Sequence, residues 1–371
     1  MSASQLGAGL RVLHTPFNIG NQPWVLSRHE RRLGCDSELL VHYVPPVLRY
    51  PTDRSLDITG GRGAHEVTTK LRASLTEPLA HDVLHYYFGK TLMSWDDFPS
   101  DSPIALADVN VAKALGRTIF FTLQGCDVRL AGESDRRNRT TACRTGHCSQ
   151  FAACVGGIDD RRRRLIAEIL PLADKVFYLN PELGHFVPGA EFLPYSNVDI
   201  STFSVTPPAT TGRPRILHAP SDGSIKGTDM ILAALDALRA THDFELVVVQ
   251  NTPHAEAMEL YRSADIVIDQ ILCGWYGGFA VEVMAMGKPV LCTLREEDFC
   301  NLPAELVSDI PIRNVRPDYL AEDIGAALDA RLMWPEWSAR ARAYVERWHD
   351  PARIAAAMIA AYRSPAAEFS L

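Results

Sequence analysis

The sequence has no long apolar run. No stretch of its 371 residues approaches the ~18–20 uninterrupted apolar residues of a membrane span. Its opening, MSASQLGAGL, has neither the basic start nor the apolar centre of a secretion signal. Positive charge is also short. Lys+Arg total 37 against 45 Asp+Glu, a formal net charge of −8, which excludes a general nucleic-acid binder, since phosphate neutralisation needs the opposite sign. These absences predict a cytoplasmic protein whose eight cysteines serve as thiols or metal ligands rather than as a disulfide framework. What is present is ordinary for a soluble enzyme: 47% apolar and 22% charged residues, in a chain long enough for two domains of roughly 150–200 residues each.

The first half reads as an alternating α/β domain. Leu10–His14 is a buried-strand pattern opening into a turn where Gly20 and Asn21 can take positive φ. A helix over Gln22–Leu33 ends at Gly34, and Ser37–Tyr43 is a second strand. Helices around Val67–Leu79 and Ile104–Leu115 alternate with strands Asp82–Tyr87 and Thr118–Leu123. Gly125–Gly157 breaks the alternation with an irregular, Cys- and Arg-rich stretch, long for a loop in a compact domain. A helix over Arg161–Leu170 and strand Lys175–Leu179 resume it. The expected divisions are 1–200, a Pro/Thr/Gly linker over 201–214, a second domain over 215–349, and a terminal helical segment over 350–371 that packs back on the first.

The second half repeats the pattern: strand Arg215–Pro220, a glycine-containing turn, the helix MILAALDALRA, and Phe244–Gln250, expected as an apolar strand of the kind parallel sheets have. The stretch Asp265–Cys292, DIVIDQILCGWYGGFAVEVMAMGKPVLC, then places Gly277-Gly278 before a short helix. A glycine turn at a helix start presents backbone N–H groups and a positive dipole end, a setting for phosphate. Lys226, next to Gly227 near another helix start, supplies a point positive charge suited to a leaving phosphate. Glu282 is read in the first turn of the helix after Gly278, where a carboxylate suits the dipole and can accept hydroxyl hydrogen bonds.

Three segments carry a resemblance. LPYSNVD, the KGTD that follows a strand and turn, and GGFAVEVMAMGKPV resemble, in order and spacing, the hinge, donor-phosphate loop and nucleotide-sugar signature of the family 4-like GT-B glycosyltransferases (group 1 type). The resemblance implies two Rossmann-like doubly wound domains facing a central cleft. It also implies transfer of a sugar from a nucleotide-diphosphate sugar, with retention and without a catalytic metal. Carried onto this chain, the donor site comprises Gly20, Asn21, Ser221, Lys226, Gly227, Thr228, Asp269, Gln270, Gly277, Gly278, Phe279 and Glu282, with Glu282 on the ribose. Two positions depart from the family pattern. Gly274 stands where the family has a sugar-binding glutamate, and Ser221 where it has a second phosphate-binding arginine. TLQGCDVR resembles the family's histidine-bearing turn, with Gln124 in place of histidine, so Gln124 and Asp127 are expected to position substrate and His85 is a further catalytic candidate.

Cys126, Cys143, Cys148 and Cys154, spaced C-x16-C-x4-C-x5-C with His147 among them, are candidate ligands for a structural zinc, although they lack the paired C-x2-C of common zinc modules. Arg136–Arg139 and Arg161–Arg164 are expected in the first half as solvated faces, with an anionic acceptor or acidic membrane surface as the alternative. The acceptor class stays open between glycan, lipid-linked and small-molecule. Two other readings remain, a catalytically silent nucleotide- or glycan-binding protein and a sugar-nucleotide epimerase.

Overall fold

The structure, a computed structural model, describes residues 5–45, 50–59, 63–95 and 104–371; the first four residues of the opening segment lie outside these. In chain order its elements are β1 (Arg11–Thr15), α1 (Gln22–Arg32), β2 (Asp36–Val41), β3 (Arg54–Ser55), α2 (Ala64–Ala80), β4 (Val83–Tyr87), α3 (Ala107–Ala114) and β5 (Thr118–Leu123). There follow α4 (Ala131–Arg137), α5 (Phe151–Ala153), α6 (Asp159–Ile169), β6 (Lys175–Tyr178), β7 (Glu191–Phe192), β8 (Arg215–His218), α7 (Gly223–Lys226), α8 (Thr228–Leu238) and β9 (Glu245–Val248). The chain finishes with α9 (His254–Ser263), β10 (Ile266–Ile268), α10 (Gly278–Ala285), β11 (Val290–Cys292), α11 (Ala304–Asp309), β12 (Arg313–Asn314), α12 (Leu320–Asp329), α13 (Trp334–Trp348) and α14 (Pro351–Arg363). No helix among the described residues is long and apolar enough to cross a membrane.

The chain divides into two compact units. Unit 1 comprises Met1–Leu130, Cys154–Asp199 and Asp350–Leu371. Its parallel sheet runs β3-β2-β1-β4-β5-β6-β7, and its central strands are buried on both faces, as RVLHT, VLHYY and TIFFTL require. The terminal helix belongs here. Asp350 caps α14 by accepting the Ala352 N–H, Pro351 fills its first turn, and Ile354, Ala355, Met358 and Ile359 join Val12, Leu26, Phe120 and Phe177 in one core cluster.

Unit 2 comprises Ala131–Ala153 and Ile200–His349, with a parallel sheet in the order β12-β11-β10-β8-β9. Ile231, Leu235 and Leu238 of α8 pack with Ile216, Ile266 and Ile268 of the sheet. The run Phe244–Gln250 holds β9, which pairs in parallel with β8 at the sheet's edge, where Val248 is 40% exposed. The irregular segment expected in the first half departs, because Ala131–Ala153 clusters with unit 2. The reason is local bonding: the Ala142 N–H donates to the Leu272 carbonyl, Arg295 Nη2 donates to the Thr140 carbonyl, and Arg139 pairs with Asp318. Arg136–Arg139 therefore lies in unit 2, while Arg162 of the other run is buried against Asp159 and the Cys154 sulfur rather than lying on a solvated face.

Candidate functional site

In unit 2 the carboxyl ends of β8 and β10, paired side by side, feed the turns that hold the expected donor residues. Asp222 opens one turn by accepting the Ser224 and Ile225 N–H groups, giving the single turn of α7 with Lys226 at its end. Gly227 then takes φ 79° in the left-handed region, and α8 begins at Thr228. Only glycine fits there, since a Cβ on Gly227 would lie 2.4 Å from Ile271 Cγ1. Ser221, exposed, precedes this turn.

Asp269 organises the second turn. Its carboxylate has no exposed side-chain area; one oxygen lies 2.8 Å from Lys226 Nζ and the other accepts the Gly277 N–H at 2.9 Å. Burial opposes the charge on Lys226, but the Asp269 carboxylate outweighs it and holds the lysine above its ordinary pKa. Gln270 donates through Nε2 to the Trp275 carbonyl. A Cβ placed on Gly277 would lie 3.6 Å from Lys226 Nζ, 3.8 Å from Asp269 Oδ2 and 3.9 Å from Gln270 Nε2. Lys226, Asp269, Gln270 and Gly277 thus converge on one point at the start of α10, whose first helical residue is Gly278. Phe279 packs edge-on against Tyr261, ring centroids 5.0 Å apart. Glu282 is the fifth residue of α10, so it stands in the second turn rather than the first.

His218 is a residue that sequence reading missed. Buried at the end of β8, its Nδ1 lies 2.8 Å from the Ile268 carbonyl and its Nε2 2.9 Å from Thr228 Oγ1. The carbonyl can only accept, so Nδ1 carries the proton and the Thr228 hydroxyl donates to Nε2. Burial lowers the histidine pKa and keeps it neutral. His218 thereby ties β8, β10 and α8 together behind Lys226; the signal available in the sequence was a polar residue at the last position of an apolar strand.

Gly274 has φ 75°, and a Cβ there would meet the Arg295 guanidinium at 2.6–2.8 Å. Arg295 closes this turn: its backbone N–H donates to the Gly274 carbonyl at 2.8 Å and its Nη1 pairs with Asp298 at 2.9 Å. The place of a side chain at position 274 is filled by a guanidinium.

The unit 1 candidates have different surroundings. Gly20 and Asn21 both take positive φ, at 62° and 63°, immediately before α1. Asp127 is fully buried and accepts the Gln124 and Gly125 N–H groups at 2.9 and 2.6 Å, so it shapes the turn after β5. His85 belongs to a buried network. Its Nε2 meets Thr122 Oγ1 at 2.7 Å and its Nδ1 meets Tyr362 Oη at 2.8 Å, and that hydroxyl also donates to Glu30, which pairs with His14. Burial, helped by His14, lowers the His85 pKa. Cys126 and Cys154 belong to unit 1 and Cys143 and Cys148 to unit 2, so neither unit by itself holds more than two of the four thiols, and none of the four is in a disulfide. A group of side chains with ligand atoms within 4.8 Å of one another is found instead at Glu38, Glu77 and His81, where Arg54 already bridges the two carboxylates.

The chain superposes on sucrose-phosphate synthase from Thermosynechococcus elongatus with a TM-score of 0.62 at 15% identity, over 95% of this chain and 98% of that one. A glycosyltransferase from Rickettsia africae gives 0.60 at 14%, over 95% and 98%. Anabaena HepE, solved with UDP and glucose, gives 0.58 at 12%, over 96% and 100%. The fold is that of the GT-B glycosyltransferases. No protein-family model matches the chain, and no curated protein matches its sequence.

Proposed function

We propose that the chain transfers a glycosyl group from a nucleotide-diphosphate sugar to an acceptor hydroxyl. The observation that carries this reading is the convergence of Lys226, Gly277 and the start of α10 at the carboxyl ends of two adjacent parallel strands, the position where open α/β sheets bind ligands. The fold adds support, since a similarly folded protein, HepE, was solved with UDP-glucose. The diphosphate lies against Lys226 and the α10 N-terminus, and Glu282 takes the ribose hydroxyls. As the glycosidic bond breaks, negative charge grows on the departing phosphate, and the Lys226 ammonium and helix dipole stabilise it without a metal ion.

Lys226 is paired with Asp269 before any donor arrives. Its charge is held in place, so little reorganisation accompanies phosphate binding. Retention of configuration fits a site whose leaving phosphate can itself accept the acceptor's proton, with Gln124 standing where the resembling family has histidine. The test is incubation with UDP-, GDP-, ADP- and dTDP-hexoses, following nucleotide release and sugar products. Release of nucleotide supports the proposal. Binding without release supports a silent nucleotide-binding protein, and an isomerised sugar nucleotide supports an epimerase.

A further inference from the structure

The sheet of unit 2 ends in an open strand. β9 pairs with β8 on one side, and no strand among the described residues lies on its other side. Peptide groups alternate sides along a strand, and the Glu245 and Val249 N–H groups donate inward, to the Pro214 and His218 carbonyls. Leu246 and Val248, one step out of phase, therefore turn their N–H and C=O groups outward. The two ends of this outward row are closed: Arg213 Nη2 donates to the Phe244 carbonyl and Thr252 Oγ1 to the Gln250 carbonyl. Its middle is not, since the backbone groups of Leu246 and Val248 have no partner among the described residues. Folded proteins blunt such an edge with lysine, proline or a bulge. β9 has none of these: it reads ELVV in unbroken register with β8, and its one charge, Glu245, is paired at 3.0 Å with Arg215 of the neighbouring strand.

Beside the edge, α8 and Leu246 enclose a groove of about 330 Å³, with Leu232 and Leu235 in its wall and the exposed Asp236 and Arg239 at its rim. Val248 lies two residues from Leu246 and so projects from the same face of the sheet. A second copy of this chain suits this surface on two grounds. The first is register. About a two-fold axis at Val247, antiparallel pairing sets Leu246 opposite the partner's Val248. Both residues turn their peptide groups outward, so each such pair exchanges two hydrogen bonds, and the axis makes two pairs. The same register brings the partner's Val248 side chain onto Leu246 at the groove. The second ground is charge. The chain carries a net −8, yet here each acid stands beside a base, Asp236 at 3.8 Å from Arg239 and Glu245 against Arg215. The face therefore meets its own copy without net repulsion and offers a strongly charged partner no attraction.

We propose that unit 2 carries a homodimer interface, formed by antiparallel pairing of β9 with the same strand of a second copy, each Val248 seated at the partner copy's groove between α8 and β9. The contact is isologous and uses the free edge of both sheets, so the assembly closes at two. It does not depend on the glycosyl-transfer reading. The experiment is sedimentation velocity on the full chain across the micromolar range, with hydrogen exchange resolved to single amides on the same samples. Wild type should sediment as a dimer that dissociates on dilution. As the dimer forms, the Leu246 and Val248 amides should gain protection, while the Val247 amide, already inside the sheet, should be protected throughout. Val248→Lys places a charge in the apolar groove and should raise the dimer dissociation constant at least tenfold. Its melting curve, taken at the dilution where wild type is monomeric, should match wild type, which separates a lost contact from a lost fold. Val248→Thr keeps the branched shape and should stay dimeric. Monomer at every concentration would leave the edge to a strand from another protein and overturn the proposal. Species larger than a dimer, an equally stable dimer in folded Val248→Lys, or a dimer whose Leu246 and Val248 amides exchange freely would overturn it as well.

Discussion

Lys226 Nζ and Asp269 Oδ1 stand 2.8 Å apart, and the second oxygen of the same carboxylate holds the Gly277 N–H. One buried anion therefore aims both groups that face the proposed diphosphate. A carboxylate so close to a phosphate site is repulsive in itself, so its presence implies that holding the ammonium and the amide in place outweighs the repulsion.

That balance is measurable in Asp269→Asn. The variant removes one partner of a buried ion pair and should lose about 3–5 kcal/mol of stability. Calorimetric titration with UDP should show weaker binding despite the removal of a negative charge. An increase in affinity would mean that Asp269 only opposes the ligand.

Gly227→Ala and Gly20→Ala form a matched pair. Both glycines have positive φ, but a Cβ at 227 would strike Ile271 while one at 20 meets nothing within 4 Å. Gly20→Ala should cost about 1 kcal/mol of backbone strain. Gly227→Ala should cost about 2–4 kcal/mol, as overpacking adds to strain. Denaturant unfolding compares them, and equal losses would show that the turn around Lys226 is not tightly packed.

Glu282→Ala should weaken UDP binding by about 1–3 kcal/mol, the scale of a hydrogen bond to a charged group. Removing the ribose hydroxyls should cost a similar amount. A cycle using 2′,3′-dideoxy-UDP with wild type and variant should then be strongly non-additive. Additive losses would place the ribose elsewhere.

Lys288 gives a pH signature. Its buried ammonium donates to the Thr206 and Arg262 carbonyls, and burial lowers its pKa from 10.5 to about 8. Between these values the unfolded chain holds the proton and the folded chain does not. Folding stability therefore rises with pH across that window, and the burden of the buried charge is felt in full below about pH 8. Subtracting the stability curve of Lys288→Met from that of wild type should isolate this rise; a flat difference would mean that the lysine titrates normally.

Much of the fold was legible because both sheets are parallel and buried, which turns their strands into apolar runs separated by helical periodicity. What was not legible has physical causes. Phe244–Gln250 could be read as a strand, but its place at the edge of the sheet could not, since composition does not encode strand order. Ala131–Ala153 joins unit 2 through backbone bonds such as Ala142 to Leu272, which leave no mark on residue type. At the site, Lys226, Gly227 and Gly277 could be named because glycine and lysine at strand-to-helix turns have few other uses. His218, and the grip of Asp269 on Lys226, depend on contacts between segments about 43–50 residues apart, beyond the reach of local pattern.

The central claim is that the carboxyl edge of the unit 2 sheet holds a nucleoside diphosphate through Lys226. Isothermal titration of wild type and Lys226→Ala with UDP, GDP, ADP and dTDP tests it most directly. The account predicts saturable binding of at least one of the four by wild type, weakened roughly 10- to 100-fold in the variant, as for a lost charge-assisted contact. No binding by wild type, or equal affinity in the folded variant, would contradict it.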